Sequence, residues 1–153
     1  MTEQKIIGKG TWIDKLAHEL IEREKQLGRK TDLVRVESGL GASGIPHIGS
    51  LGDAVRAYGV KLALENLGYK SELIAYSDDL DGLRKIPEGL TVDSENIGKR
   101  VSSIPDPVEG CKHNSYGEHM SGLLLDGLDN LGIEYVHKTA HETYKNGLLV
   151  DQI

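Results

Sequence analysis

The 153-residue chain contains no phenylalanine and a single cysteine, and aromatic residues make up only 5% of it. A core without Phe has to be filled by Leu, Ile, Val and Ala. The lone thiol, Cys111, excludes an internal disulfide framework and suits a reducing compartment. No apolar run approaches the ~20 residues of a membrane helix, and the opening "MTEQKIIGKG" lacks the apolar centre of a secretion signal. Positive charge is short as well: 18 Lys and Arg face 24 Asp and Glu, a net charge of −6. That balance argues against a stand-alone nucleic-acid module, which would show a basic face, though not against a domain whose RNA contacts lie elsewhere. The length suffices for one domain with a real core. Together these absences predict a cytoplasmic protein without membrane contact.

Apolar periodicity places the elements. In "TWIDKLAHELIEREKQL" (11–27), Trp12, Ile13, Leu16, Ala17, Leu20, Ile21 and Leu27 share a helical face. Thr11 with Asp14 has capping-box spacing, and Gly28 offers a stop. "DLVRVE" reads as a buried strand and 38–47 as a loop. A second helix over about 48–67 turns Leu51, Ala54, Val55, Tyr58, Leu62 and Leu67 inward and ends at Gly68. "SELIAYS" is a second strand reaching Asp78. Residues 78–113 carry Pro87, Pro105 and Pro107 and little periodicity, which marks a functional excursion or one holding short helices. Helix returns in "NSYGEHMSGLLLDGLDNLG", with Ser115 and Glu118 at capping-box spacing and a stripe of Met120, Leu123, Leu124, Leu128 and Leu131. "IEYVHK" is a third strand, "HETYKNG" a short helix, and "LLVDQI" the start of another element. The order β-α-β, excursion, α-β predicts an α/β fold with a parallel sheet and right-handed crossovers, half of a doubly wound nucleotide-binding domain. Its parts are a helix (11–27), a βαβ unit (32–77), an insertion (78–113) and an αβα unit (114–147), within one partial domain over 1–153.

"ESGLGASGIPHIGS" (37–50) joins the first strand to the second helix. Gly39, Gly41 and Gly44 spell G-x-G-x-x-G, the dinucleotide fingerprint. Pro46 argues against it, because proline suits a loop or a first helical turn and so delays the helix to about residue 48. Asp78, the acid closing the second strand, also lies well beyond the ~20 residues at which a ribose-binding acid is expected. A P-loop is excluded because no Lys-Ser/Thr follows Gly44. The other reading centres on His47-Ile48-Gly49-Ser50: an imidazole before a helix can donate to nucleotide phosphate, Gly49 keeps the helix start open to an adenine ring, and Ser50 adds a hydroxyl. A histidine in that place is more often a helix cap or a surface residue.

"SDDLDGLRK" follows the second strand, where open α/β sheets place ligand groups. Asp78, Asp79 and Asp81 repel one another unless a metal, a substrate ammonium or Arg84 intervenes. Otherwise they form a solvated acidic turn. Cys111, His113 and His119 suggest zinc, but the spacing fits no common structural site and a fourth ligand is not evident, so no metal is assigned. His119 on its leucine-rich helix reads as a satisfied polar neighbour. His18, His137 and His141 read as structural or surface residues.

With "ESGLGASGIPHIGSLGDAVRAYGVKLALENLGY", "SDDLDGLRKIP", "IPDPVEGCKHNSYGEHM" and "NLGIEYVHKTAHETYKNG" in this order, the chain resembles the N-terminal part of a class I lysyl-tRNA synthetase of the archaeal type. The resemblance runs from about Trp12 to about Gly147. It implies the first half of a Rossmann-like class I catalytic domain, which activates lysine with ATP (and Mg2+) as lysyl-adenylate and passes it to tRNA(Lys). By resemblance His47, Gly49 and Ser50 stand in the H-I-G-H motif as catalytic and ATP-binding residues, with Ser43 and Gly44 in the ATP-binding turn. Gly39, Gly41, Asp78, Asp79 and Asp81 border the amino-acid pocket. Ser50 replaces the usual Asn or His, and Ala42 the usual Pro, so these positions are the first places to look for impaired function. The K-M-S-K-S loop and the anticodon-binding region are absent from this sequence. The expectation is therefore a fragment, with a missing C-terminal half or self-association at an exposed sheet edge. Alternatives are another H-I-G-H enzyme (glutamate-type synthetase or nucleotidyltransferase) and a non-catalytic nucleotide-binding or assembly module.

Overall fold

A computed structural model describes residues 10–148. The element expected to begin in "LLVDQI" lies almost wholly outside that range. Helix α1 (Trp12–Gln26) is followed by β1 (Val34–Leu40), α2 (Ile48–Asn66) and β2 (Ser71–Ser77). An excursion with two short 3-10 turns then leads to α3 (Tyr116–Asn130), β3 (Val136–Thr139) and α4 (Ala140–Lys145). The three strands pair in parallel in the order β1-β2-β3. In register, Leu40 lies beside Ser77 and Ser77 beside Thr139, so the loops leaving all three strands emerge along one edge.

Local chemistry sets the element ends. The Asp14 carboxylate accepts from both the N–H and the hydroxyl of Thr11, at 2.8 and 3.0 Å, and so closes the start of α1. Gly28 and Gly68 end α1 and α2 at φ +65° and +89°, a left-handed conformation that suits glycine. At α3, the Ser115 hydroxyl accepts from the Glu118 N–H at 3.1 Å. The Glu118 carboxylate reaches past Ser115 to the backbone and amide of Asn114, so the reciprocal half of the expected capping box is shifted by one residue.

Three clusters form the interior. Leu40, Leu73 and Ala75 of the sheet pack beneath Ala54 of α2 and Leu124 and Leu128 of α3. Ala17 and Ile21 of α1 meet Val60, Ala63 and Leu64 of α2. Leu83, Val101 and Ile104 of the excursion pack with Tyr116 and Met120 of α3 and with Ala42, from the loop after β1. Burying a side chain such as Leu64 or Leu128 contributes roughly 1.5–3 kcal/mol.

Several boundaries and faces differ from expectation. The first strand begins at Val34 and continues through Ser38, Gly39 and Leu40, beyond the expected loop boundary at residue 38; these three pair with Ala75, Tyr76 and Ser77. Helix α2 lies between α1 and the sheet and so buries Val60, Ala63 and Leu64, whereas Val55 and Leu62 of its expected inner face are exposed. In α3, Met120, Leu124 and Leu128 are buried while Leu123 and Leu131 face outward. Trp12, Leu16 and Leu27 of α1 are likewise exposed. No described helix is long and apolar enough to cross a membrane.

Candidate functional site

The loop after β1 delivers His47 as the N-cap of α2. Its Nδ1 accepts from the backbone N–H of Gly49 at 3.0 Å and of Ser50 at 3.4 Å. An imidazole that accepts at Nδ1 carries its neutral-form proton on Nε2. The cap and donor readings of His47 therefore coexist: one ring nitrogen closes the helix and the other presents N–H on the exposed side of the loop. Gly49 makes this possible, because a Cβ there would come within 2.8–2.9 Å of the His47 ring. The room at Gly49, expected to admit an adenine ring, is thus taken first by the imidazole. The Ser50 hydroxyl accepts from the His47 N–H at 3.5 Å, as the second arm of a capping box.

Gly41 and Gly44 face open space on the same loop, and Gly39 lies against Asp78: a Cβ on Gly39 would sit 3.9 Å from Oδ2 of that carboxylate. Ala42 is fully buried in the excursion cluster, so the small side chain at this departure from the family pattern fills a packing position. The structure thus brings Gly39, Gly41, Ser43, Gly44, His47, Gly49, Ser50 and Asp78 to one end of β1.

The three carboxylates separate. Partial burial, with the nearby charges of Asp81 and Asp79, pushes the Asp78 carboxyl above its ordinary range. Asp81 is exposed on the turn, and its carbonyl accepts from Val101 at 2.9 Å. Asp79 turns to the other side, where its carboxylate accepts from the His141 N–H of α4 at 2.8 Å. This contact ties the end of β2 to the start of α4. No ion pair joins Arg84 or Lys85 to these acids among the described residues.

On the opposite side, beyond Asp79, a cavity of about 580 Å³ opens between the ends of β2 and β3 and the start of α3. His137 sits at its wall with Nε2 2.9 Å from the Ser77 hydroxyl. Burial lowers the His137 pKa against the opposing charges of Glu142, Asp79 and Glu118. The cavity is distinct from the His47 loop.

A second constellation was only half legible. Cys111 Sγ lies 2.9 Å from His113 Nδ1 and 3.4 Å from His119 Nδ1, and His119 Nδ1 lies 3.1 Å from Asp106 Oδ2. Asp106 is the fourth donor that the spacing of cysteine and histidines did not reveal, and all four donor atoms fall within 4.8 Å of one another. Its other oxygen is held by the Val108 N–H at 2.7 Å, which aims Oδ2 at the histidines. Burial pushes the Asp106 carboxyl up, but the Val108, Cys111 and His119 contacts outweigh it and hold the group below its ordinary range. His113 packs directly on Gly122, where a Cβ would lie 2.7 Å from Nε2. Two imidazoles, a thiol and a carboxylate are zinc ligands by type, and their separations scatter around the ~3.3–3.8 Å between donors of a tetrahedral site with metal–ligand distances of ~2.0–2.3 Å. The donor set fits zinc, so the exclusion of a metal for want of a fourth ligand is withdrawn. His119 becomes one of the donors.

The parallel three-strand sheet with its flanking helices is a Rossmann-like α/β arrangement, and its loop cluster sits at the carboxyl ends of the strands, as in a class I synthetase catalytic domain. Residues 10–153 match the family of class I tRNA synthetases (K). The chain belongs to this family. It is 68% identical over 98% of its length to a lysine–tRNA ligase of Cenarchaeum symbiosum strain A. It is 40% identical over 78% of its length to one from Rickettsia bellii strain OSU 85-389, and 37% over 93% to one from Pyrococcus furiosus. The matched part is 28%, 23% and 26% of those three relatives, so the chain spans about a quarter of their length.

Proposed function

We propose that this chain supplies the ATP- and lysine-binding part of a cytoplasmic lysine–tRNA ligase. The observation that carries the reading is the His47 turn, where Nδ1 is spent on capping α2 and the other ring nitrogen, Nε2–H, is left free on an exposed residue at the helix N-terminus. The positive end of the helix dipole, together with a fixed imidazole donor, favours a phosphate chain. In the whole enzyme the lysine carboxylate would attack the α-phosphate of ATP, accompanied by Mg2+, releasing pyrophosphate and forming lysyl-adenylate. The adenylate would then pass its lysyl group to the terminal adenosine of tRNA(Lys). No covalent enzyme intermediate is needed, so catalysis rests on alignment and on stabilising the charge that develops at phosphorus. Asp78, beside Gly39, supplies the carboxylate for the substrate ammonium, with Asp81 next on the same turn.

The rest of the catalytic domain would seat against the free edge of β1, and Ile45 and Ile48, 46% and 83% exposed, follow that strand in the loop and at the start of α2. Exposed apolar groups and an unpaired strand edge suit a docking partner, and self-association substitutes for it when it is missing. Equilibrium titration with ATP, lysine and glutamate tests the assignment. Lysine binding that exceeds glutamate binding, enhanced by ATP, supports it. A preference for glutamate would move the chain to a glutamate-type activity, and failure to bind any of the three would leave an assembly module.

A further inference from the structure

We propose that Tyr116 is a positioning residue that aims the Gly44 N–H at nucleotide phosphate; this rests on the ATP-binding reading of the loop. Tyr116 is fully buried at the first position of α3, and its hydroxyl donates to the Ser43 carbonyl at 3.2 Å across 73 residues of chain. The Ser43 carbonyl and the Gly44 N–H belong to one planar trans peptide and point in opposite directions. Fixing the carbonyl inward therefore turns the Gly44 N–H outward. That N–H has no hydrogen-bond partner among the described residues, and Gly44 faces open space in the same loop that ends at the His47 cap.

The tyrosine is itself held from below. Its backbone N–H donates to the Ile104 carbonyl at 2.8 Å. The next residue, Gly117, lets α3 press onto Val101, where a Cβ would lie 2.9 Å from the valine side chain. Val101 and Ile104 share the excursion cluster with Ala42, the residue preceding Ser43. The excursion thus acts as a strut: it fixes the start of α3, and Tyr116 carries that position to the nucleotide loop. Burial raises the Tyr116 pKa, so the hydroxyl stays a donor through the neutral range.

Tyr116→Phe removes the hydroxyl and keeps the ring. The expected result, in the 153-residue chain, is ATP affinity weakened about three- to tenfold, the scale of one hydrogen bond. Adenosine, which lacks the phosphates, should bind unchanged. Ile21→Val, in the separate cluster between α1 and α2, should leave the ratio of ATP to adenosine affinity unaltered. In the unliganded chain, amide exchange at Gly44 should change in Tyr116→Phe while that of β1 and β2 does not. Equal losses for ATP and adenosine, no loss for either, or an unaltered Gly44 amide would overturn the proposal. Failure of the underlying reading looks different: the unsubstituted chain would then show no preference for ATP over adenosine, and the positioning role would fall with it.

Discussion

Replacing His47 by asparagine separates two tasks that the imidazole performs together. As a cap, Nδ1 takes the Gly49 and Ser50 N–H groups at 3.0 and 3.4 Å. Asparagine is among the strongest N-caps, whereas alanine in a cap position costs about 0.5–2 kcal/mol. His47→Asn should therefore keep the melting temperature close to that of the parent, and His47→Ala should lower it. As a donor, Nε2–H would bond a charged phosphate oxygen, a contact of about 1.5–3 kcal/mol. At 1.4 kcal/mol per factor of ten, both variants should bind ATP roughly ten- to 150-fold more weakly. Gly49→Ala attacks the same device from the other side, since the added Cβ lands 2.8–2.9 Å from the ring and must displace it. The lost cap is partly offset by alanine's helix preference, up to ~1 kcal/mol over glycine, so stability changes little while ATP binding falls. Calorimetric titration with ATP beside thermal melts reads both quantities. Undiminished ATP affinity in His47→Asn would refute the donor role and leave His47 a cap alone.

Further outcomes follow from other parts of the structure. Because the Asp78 carboxyl is held above its ordinary range, its ionised form is disfavoured in the fold; its contribution to stability is present in acid and lost as pH rises through the folded value. Asp78→Asn should therefore raise the melting temperature at pH 7, with the gain fading below the ordinary carboxylate range, and should abolish lysine binding. An unchanged melt at pH 7 would contradict this. Purified chain should contain about one zinc per molecule, and chelation should lower its melting temperature; metal-free protein with an unaltered melt would remove the metal from the account. Gly122→Ala should weaken that metal about ten- to 100-fold, the range found when the support of a ligand is lost, by pushing His113 off its place.

Much of the scaffold was legible because local signals and packing agreed. Thr11 with Asp14, Gly28 and Gly68 punctuate α1 and α2, and "SELIAYS" is β2 to the residue. Ser38 and Gly39 are poor strand formers, yet they complete β1 because the ladder to β2 satisfies their backbone. Only the tertiary partner reveals that. The alternation of a strand continued past its end would have sent Asp78 and Asp79 to opposite sides, as the structure does. Asp106 was hidden because a metal donor from a loop carries no periodicity; its one signal was a Pro-Asp-Pro turn just before Cys111. Tyr116 read only as the start of a helix, since a contact spanning 73 residues leaves no local trace.

The most direct test of the central claim is an ATP titration followed at each backbone amide by nuclear magnetic resonance. The largest shifts are expected on Ser43, Gly44, Gly49 and Ser50, with the His47 Nε2 proton moving with them. Shifts concentrated instead around Ser77, Ser121 and His137, which line the cavity on the other side of the sheet end, would contradict it.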